Sequence, residues 1–126
     1  GDSGAYSSTN RFKDITKLIK LDKFAEAHKM LKNLKQINTD EADRLNLLGF
    51  TARKSGDLAA AGNFYQRALS LNPKHIGALE YQGELFIQLG KLDLAQENLE
   101  KINKICLLPC NAERELKKAI EKSMTN

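Results

Sequence analysis

The chain repeats itself at an interval of 34 residues: Ala27, Ala61 and Ala95 are spaced by it, and so are Ile37, Leu71 and Ile105. Leu45 and Leu79, Gly49 and Gly83, and Gly56 and Gly90 share the same spacing. A period of this length marks a supersecondary unit that stacks on copies of itself, because one unit alone cannot bury its apolar face. The segments align as LDKFAEAHKMLKNLKQI, SGDLAAAGNFYQRALSL and LGKLDLAQENLEKINKI. Nothing else in the chain constrains the fold as strongly.

Each unit reads as two helices. Apolar residues recur at three and four in Leu45, Leu48 and Ala52, and again in Leu58, Ala61, Tyr65, Ala68 and Leu69. Between them lie Gly-containing breaks, KSGD at 54–57 and LGK at 89–91. Glycine suits the left-handed residue that ends a helix, and Asp57 is placed to cap the next one. Asn72-Pro73 closes the middle unit, since proline cannot continue a helix. Gly49, Gly83 and the alanine column are predicted to let two helix backbones approach closely. Ile105 is expected to occupy the last core column of the third unit.

These residues resemble the tetratricopeptide repeat family. Residues 42–75 match its pattern best, with Leu45, Leu48, Gly49, Ala61, Tyr65, Ala68 and Pro73 in signature positions and Ala52 replacing a usual aromatic. The unit at 76–109 keeps Leu79, Gly83, Phe86, Gly90 and Ala95, but departs at Gln82, Leu99 and Ile102, and its Pro109 comes two places late. The first unit, about 8–41, is degenerate: Ala27, Leu31 and Leu34 fit, while Ile15 stands where a small residue belongs. Residues 111–124 read as one more amphipathic helix, with Leu116 and Ile120 in the columns of Leu48 and Ala52. Lys117 replaces the close-contact glycine there, as expected of a capping helix that ends the stack. The resemblance implies an all-α, right-handed α-solenoid of three helix–turn–helix units plus a C-terminal capping helix. It would form a single domain over 9–126, after a flexible or appended leader at 1–8.

A length of 126 residues suits one domain. No run of about 18 apolar residues is present, which excludes a membrane-spanning helix from the sequence as given. The formal charge is +4. Between Arg11 and Lys35 eight basic residues face three acidic ones. That reads as a solvated helix surface, with attraction of an acidic partner as the other reading. The lysines have no interleaved aromatics to stack on bases, which speaks against nucleic-acid binding.

The resemblance implies a protein-interaction module acting through a concave face lined by the first helix of each unit, in a larger bacterial-type assembly. Mapped residue by residue, that face carries Phe12 and Lys20, then Asn46, Leu47, Phe50, Arg53 and Lys54, then Glu80, Tyr81, Glu84 and Ile87. Phe50 is not needed by the core stripe. With Phe12, Leu47, Tyr81 and Ile87 it is expected to line an apolar groove for a peptide or amphipathic helix. The alternative is that Phe12 and Phe50 pack against neighbouring helices or the leader. Some relatives hold a chaperone's terminal carboxylate with a lysine–asparagine–asparagine–lysine–arginine set. The matching positions here are Phe12, Thr16, Leu47, Gly77 and Tyr81, which do not fit. A degenerate first unit also leaves room for self-association.

No catalytic constellation is evident, and neither cofactor nor metal is implied. His28 and His75 lie in different units, and no Cys or Ser nucleophile has a histidine nearby in the repeat frame. Cys106 and Cys110 are the two cysteines of the chain, on either side of the turn between the last repeat and its cap. They read as a structural disulfide that pins the cap, as two reduced thiols, or as a redox or thiol-metal site. Two ligands fall short of a metal site, and the spacer is one residue longer than in a thioredoxin-like motif. The disulfide reading would place the protein in the periplasm or outside the cell; the reduced one, in the cytoplasm.

Overall fold

The structure is a computed structural model that describes residues 10–125; the leader expected at 1–8 lies outside the described residues. Among these, a 3-10 turn at Asn10–Phe12 leads into seven α-helices and no strand. They are α1 (Lys13–Lys20), α2 (Phe24–Asn33), α3 (Glu41–Lys54), α4 (Leu58–Leu71), α5 (Ile76–Gln88), α6 (Leu92–Ile105) and α7 (Asn111–Thr125). Successive helices pack as pairs, α1 on α2, α3 on α4 and α5 on α6. Each later pair also touches the one before it, and α7 lies against both α5 and α6. The protein is an all-α helical repeat.

One turn, built three times, explains the pairing. Gly56 sits at φ +93° after α3, and Gly90 at φ +74° after α5. The Gly56 and Asp57 amides donate to the Arg53 and Ala52 carbonyls at 3.0 and 2.9 Å. Gly90 and Lys91 donate in the same way to Ile87 and Phe86. This is the Schellman closure, which satisfies the last carbonyls of a helix while reversing the chain. In the degenerate first unit Asp22 occupies the equivalent place at φ +59°, and Asp22 and Lys23 donate to Ile19 and Leu18. The turn thus survives there without its glycine. Asp57 caps α4 by accepting from the Ala60 amide at 3.1 Å, whereas Lys23 and Lys91, in the same column, provide no side-chain cap.

The small-residue columns are filled by close packing. Ala27, Ala61 and Ala95 are fully buried. A methyl group on Gly49 would lie 2.6 Å from the Tyr65 ring, and one on Gly83 would lie 2.8 Å from Leu116. These approaches bring α3 onto α4 and α5 onto α7. Two apolar clusters result, and α5 contributes to both, with Ala78, Tyr81 and Leu85 facing one and Leu79 the other. Leu116 and Ile120 of α7 are buried while Lys117 is exposed.

Ile105, expected in the last core column, is half-buried and packs against the second cluster. Its repeat equivalents Ile37 and Leu71 are 40% and 61% exposed, at or just beyond the ends of the second helices. Beyond Ile105, Cys106 and Cys110 are joined by a disulfide across a Cα–Cα distance of 6.3 Å. Both pack against the second cluster while Leu107 and Leu108 face solvent.

A candidate partner-binding strip on the first helices

The first helices of the three pairs carry five columns at the repeat spacing. Across α1, α3 and α5, with Phe12 just preceding α1, they read Phe12–Asn46–Glu80, Lys13–Leu47–Tyr81, Thr16–Phe50–Glu84, Ile19–Arg53–Ile87 and Lys20–Lys54–Gln88. Burial varies systematically across these columns. Phe12, Asn46, Leu47, Glu80 and Tyr81 are fully buried, and Phe50 and Arg53 are nearly so. Glu84 and Ile87 are partly exposed, and Lys20, Lys54 and Gln88 lie in solvent. The strip is therefore closed along its centre and open along one rim.

Phe50 is not spare. Its ring meets Tyr81 at 4.7 Å between centroids, and the edge of Phe24 at 6.1 Å. Sequence reasoning left Phe24 out of the site. Its signal was its place in the column of Leu58 and Leu92, the first residues of the second helices. Arg53 lies over both aromatic rings, with its guanidinium carbon 5.6 Å from the centre of Phe50 and 5.8 Å from that of Tyr81. Lys54 reaches the Phe50 ring from the solvent side at 5.7 Å. Such cation–aromatic contacts are each worth about 0.5–2 kcal/mol, increasing as the site is desolvated.

Arg53 also ties α3 to its neighbours. It donates from Nη1 to Gln88 Oε1 at 3.1 Å and from Nε to the Tyr65 hydroxyl at 3.5 Å, and Nη2 lies 3.9 Å from Glu84. The structure thus brings Phe50, Arg53, Lys54, Tyr81 and Glu84 into one cluster, with Gln88 added. Phe12 and Leu47 belong to the same apolar cluster. Lys20 and Ile87 lie on the same helices without a direct polar tie to that cluster.

Two polar side chains in the first column stand out. Neither polar atom of the buried Asn46 has a hydrogen-bond partner among the described residues, and the buried Glu80 carboxyl has the Glu84 carboxyl as its side-chain hydrogen-bond neighbour. Buried polar groups are almost always paired, because an unpaired one forfeits about 1–3 kcal/mol of solvation. Burial, reinforced by the nearby Glu84 carboxylate and then by Glu115 of α7, pushes the Glu80 carboxyl up to about 9. Burial likewise raises Glu84, against the pull of Arg53 and Lys54.

The two histidines hold helices in place. His75 accepts the Ala78 amide on Nδ1 at 3.0 Å, capping α5, and its Nε2 meets Asp43 of α3 at 2.7 Å. His28 joins α2 to α3 through Thr51 at 2.7 Å. Among the described residues no group of three or more His, Cys, Asp or Glu side chains is arranged to hold a metal. No described helix is long and apolar enough to cross a membrane.

Paired helices joined by a recurring Schellman turn, with an aromatic and arginine cluster on the first helices, define a helical-repeat protein of the interaction type. Residues 42–75 match the tetratricopeptide repeat profile. A curated protein of Pyropia yezoensis, named "Uncharacterized protein ycf37", is 29% identical over 82 residues, which cover 61% of this chain and 46% of that protein. The helical-repeat chain thus carries a match to the tetratricopeptide repeat over its middle helix pair, α3 and α4. It spans about half the length of the curated relative it matches. Repeats of this family typically serve as non-enzymatic interaction modules and take protein partners.

Proposed function

We propose that this protein is a scaffold that receives a peptide or an amphipathic helix of a protein partner along the strip formed by α1, α3 and α5. The observation that carries this reading is the Phe50–Tyr81 ring pair with Arg53 over both rings and Lys54 reaching Phe50 from the solvent side. Aromatic side chains with an arginine are what binding hot spots enrich. The open rim of Lys54, Glu84 and Ile87 supplies the approach.

Phe50→Ala would remove a buried ring and lower stability, so it cannot by itself distinguish binding from folding. The cleaner test reverses charge at the exposed rim with Lys20→Glu and Lys54→Glu. A control applies the same change on second helices, with Lys29→Glu and Lys101→Glu. Partner captured from the source cells by wild type and control, and lost by the rim variant at unchanged helical circular dichroism, is the expected result. Equal capture by all three removes the strip from consideration. The Cys106–Cys110 disulfide supports a second element of the proposal, residence in an oxidising compartment such as the periplasm or the exterior. Alkylation of the untreated native protein that labels both thiols would contradict that placement.

A further inference from the structure

Leu107 and Leu108 stand in water at the turn between α6 and α7. They are 94% and 79% exposed, more than any other large apolar side chain among the described residues. The turn that carries them is tied down. The disulfide closes the segment from Cys106 to Cys110, and both cysteines pack against the second apolar cluster. The leucine pair is therefore a fixed knob, and a partner that covers it has little left to order. Each leucine left in water forgoes the hydrophobic gain of burial, and adjacent exposed apolar side chains of this kind mark interaction surfaces.

Beside the knob lies a hole. A cleft of about 510 Å³ between α6 and α7 is lined by the apolar Leu99 and Pro109 and by the charged Glu100, Glu113, Arg114 and Lys117. It opens to solvent, since Glu100, Pro109, Arg114 and Lys117 are all exposed. Pro109 follows Leu108 directly, so cleft and knob adjoin on one face. The charges of the cleft are balanced, two acids against two bases. Neither acid, nor Lys117, has an ion-pair partner among the described residues, and Arg114 donates to Asn111. A surface of one sign would seek its opposite, such as an anionic membrane. A surface that joins a protruding apolar pair, an adjoining cleft and both signs of charge is complementary to itself.

We propose that this end of the molecule docks on a second copy of the chain about a two-fold axis, each copy placing Leu107 and Leu108 in the α6–α7 cleft of the other. The pairing closes on itself, because both knobs and both clefts are used, whereas a head-to-tail contact would extend into a fibre. With α6 of one copy set against α7 of the other, Glu100 meets Lys117 twice, once on each side of the axis. An interface centred on Leu99, Leu107, Leu108 and Pro109 from each copy falls at the small, transient end of the size range, so the dimer dissociates on dilution. None of these residues belongs to the strip on α1, α3 and α5. The dimer therefore presents two strips, and a partner carrying two copies of its segment binds with avidity. The proposal stands whether or not the strip is the partner's seat.

Sedimentation velocity over a wide concentration range tests it. Expected is a reversible monomer–dimer equilibrium whose dissociation constant rises about tenfold or more with Leu107→Ser and Leu108→Ser together. Leu21→Ser, which changes a leucine 66% exposed between α1 and α2, should leave it unchanged. The charged walls give a second readout. Glu100→Lys and Lys117→Glu should each weaken the dimer alone and recover it when the two variants are mixed, because the mixed pair sets lysine against glutamate at both contacts. All of these positions are exposed, so circular dichroism should match wild type throughout. A chain that stays monomeric at every concentration overturns the proposal. So does a dimer indifferent to the leucine pair, or a mixture that fails to recover it. Binding of the monomer to vesicles containing phosphatidylserine, lost in the leucine double variant, would assign the knob to a lipid surface and overturn it as well.

Discussion

At the scale of single residues, Glu80 sets the sharpest expectation. Its carboxyl titrates near 4.5 when unfolded and near 9 when folded, so the native state prefers the protonated form. The stability this supplies is complete below 4.5 and is lost as pH rises through 9. At about 1.4 kcal/mol per pH unit, the loss between pH 4.5 and 7 is on the order of 3 kcal/mol. Glu80→Gln removes the titrating group and keeps the shape. It should therefore be the more stable protein at pH 8, and the gap should close by pH 4.5. Chemical denaturation at a series of pH values checks this, and a pH-independent difference would contradict it. Nothing in the sequence announced this behaviour. A glutamate at a helical position among lysines reads as a solvated face, and only the packed fold makes it a buried acid.

At the scale of elements, the helices and their turns were legible because they are written locally. Gly56, Gly90 and Asp57 do what their residue types dictate at those positions. Asp22 was missed because an aspartate in the left-handed region leaves no signature; only its spacing from Gly56 and Gly90 betrays it. Asp22→Gly should be tolerated, while Asp22→Val should cost about 1–2 kcal/mol, since a branched side chain resists positive φ. Equal stability of the two variants would mean that the first turn is not under this constraint. The glycines divide just as clearly. Gly49→Ala drives a methyl into the Tyr65 ring and should cost about 1–3 kcal/mol. Gly62, with Leu85 at an ordinary 3.7 Å, should gain up to about 1 kcal/mol as alanine from helix propensity. Thermal melts of the pair decide it. Ile37 and Leu71, repeat equivalents of the packed Ile105, lie exposed for the opposite reason. A period proves that positions are equivalent, and says nothing of whether the equivalent position lies inside the stack.

At the scale of the whole molecule, α7 closes the second apolar cluster with Ala112, Leu116 and Ile120, and the Cys106–Cys110 disulfide joins it to α6. Closing so short a loop stabilises by about 2 kcal/mol on the chain-entropy model. Replacing both cysteines with serine should lower stability by that order, with faster amide exchange concentrated in α7. Exchange that quickens equally in α1 and α2 would show that the disulfide does more than pin the cap. The candidate strip crosses all three helix pairs, which is why its residues could be mapped from the repeat frame while their burial could not. Phe50 and Tyr81 are covered by side chains from other units, a fact no local pattern carries. The account therefore stands on partner capture by the rim variant. Lys20→Glu with Lys54→Glu should weaken capture about tenfold, the factor that 1.4 kcal/mol represents, while Lys29→Glu with Lys101→Glu leaves it unchanged. Capture reduced equally by both pairs, or by neither, would contradict the claim that the first helices carry the binding site.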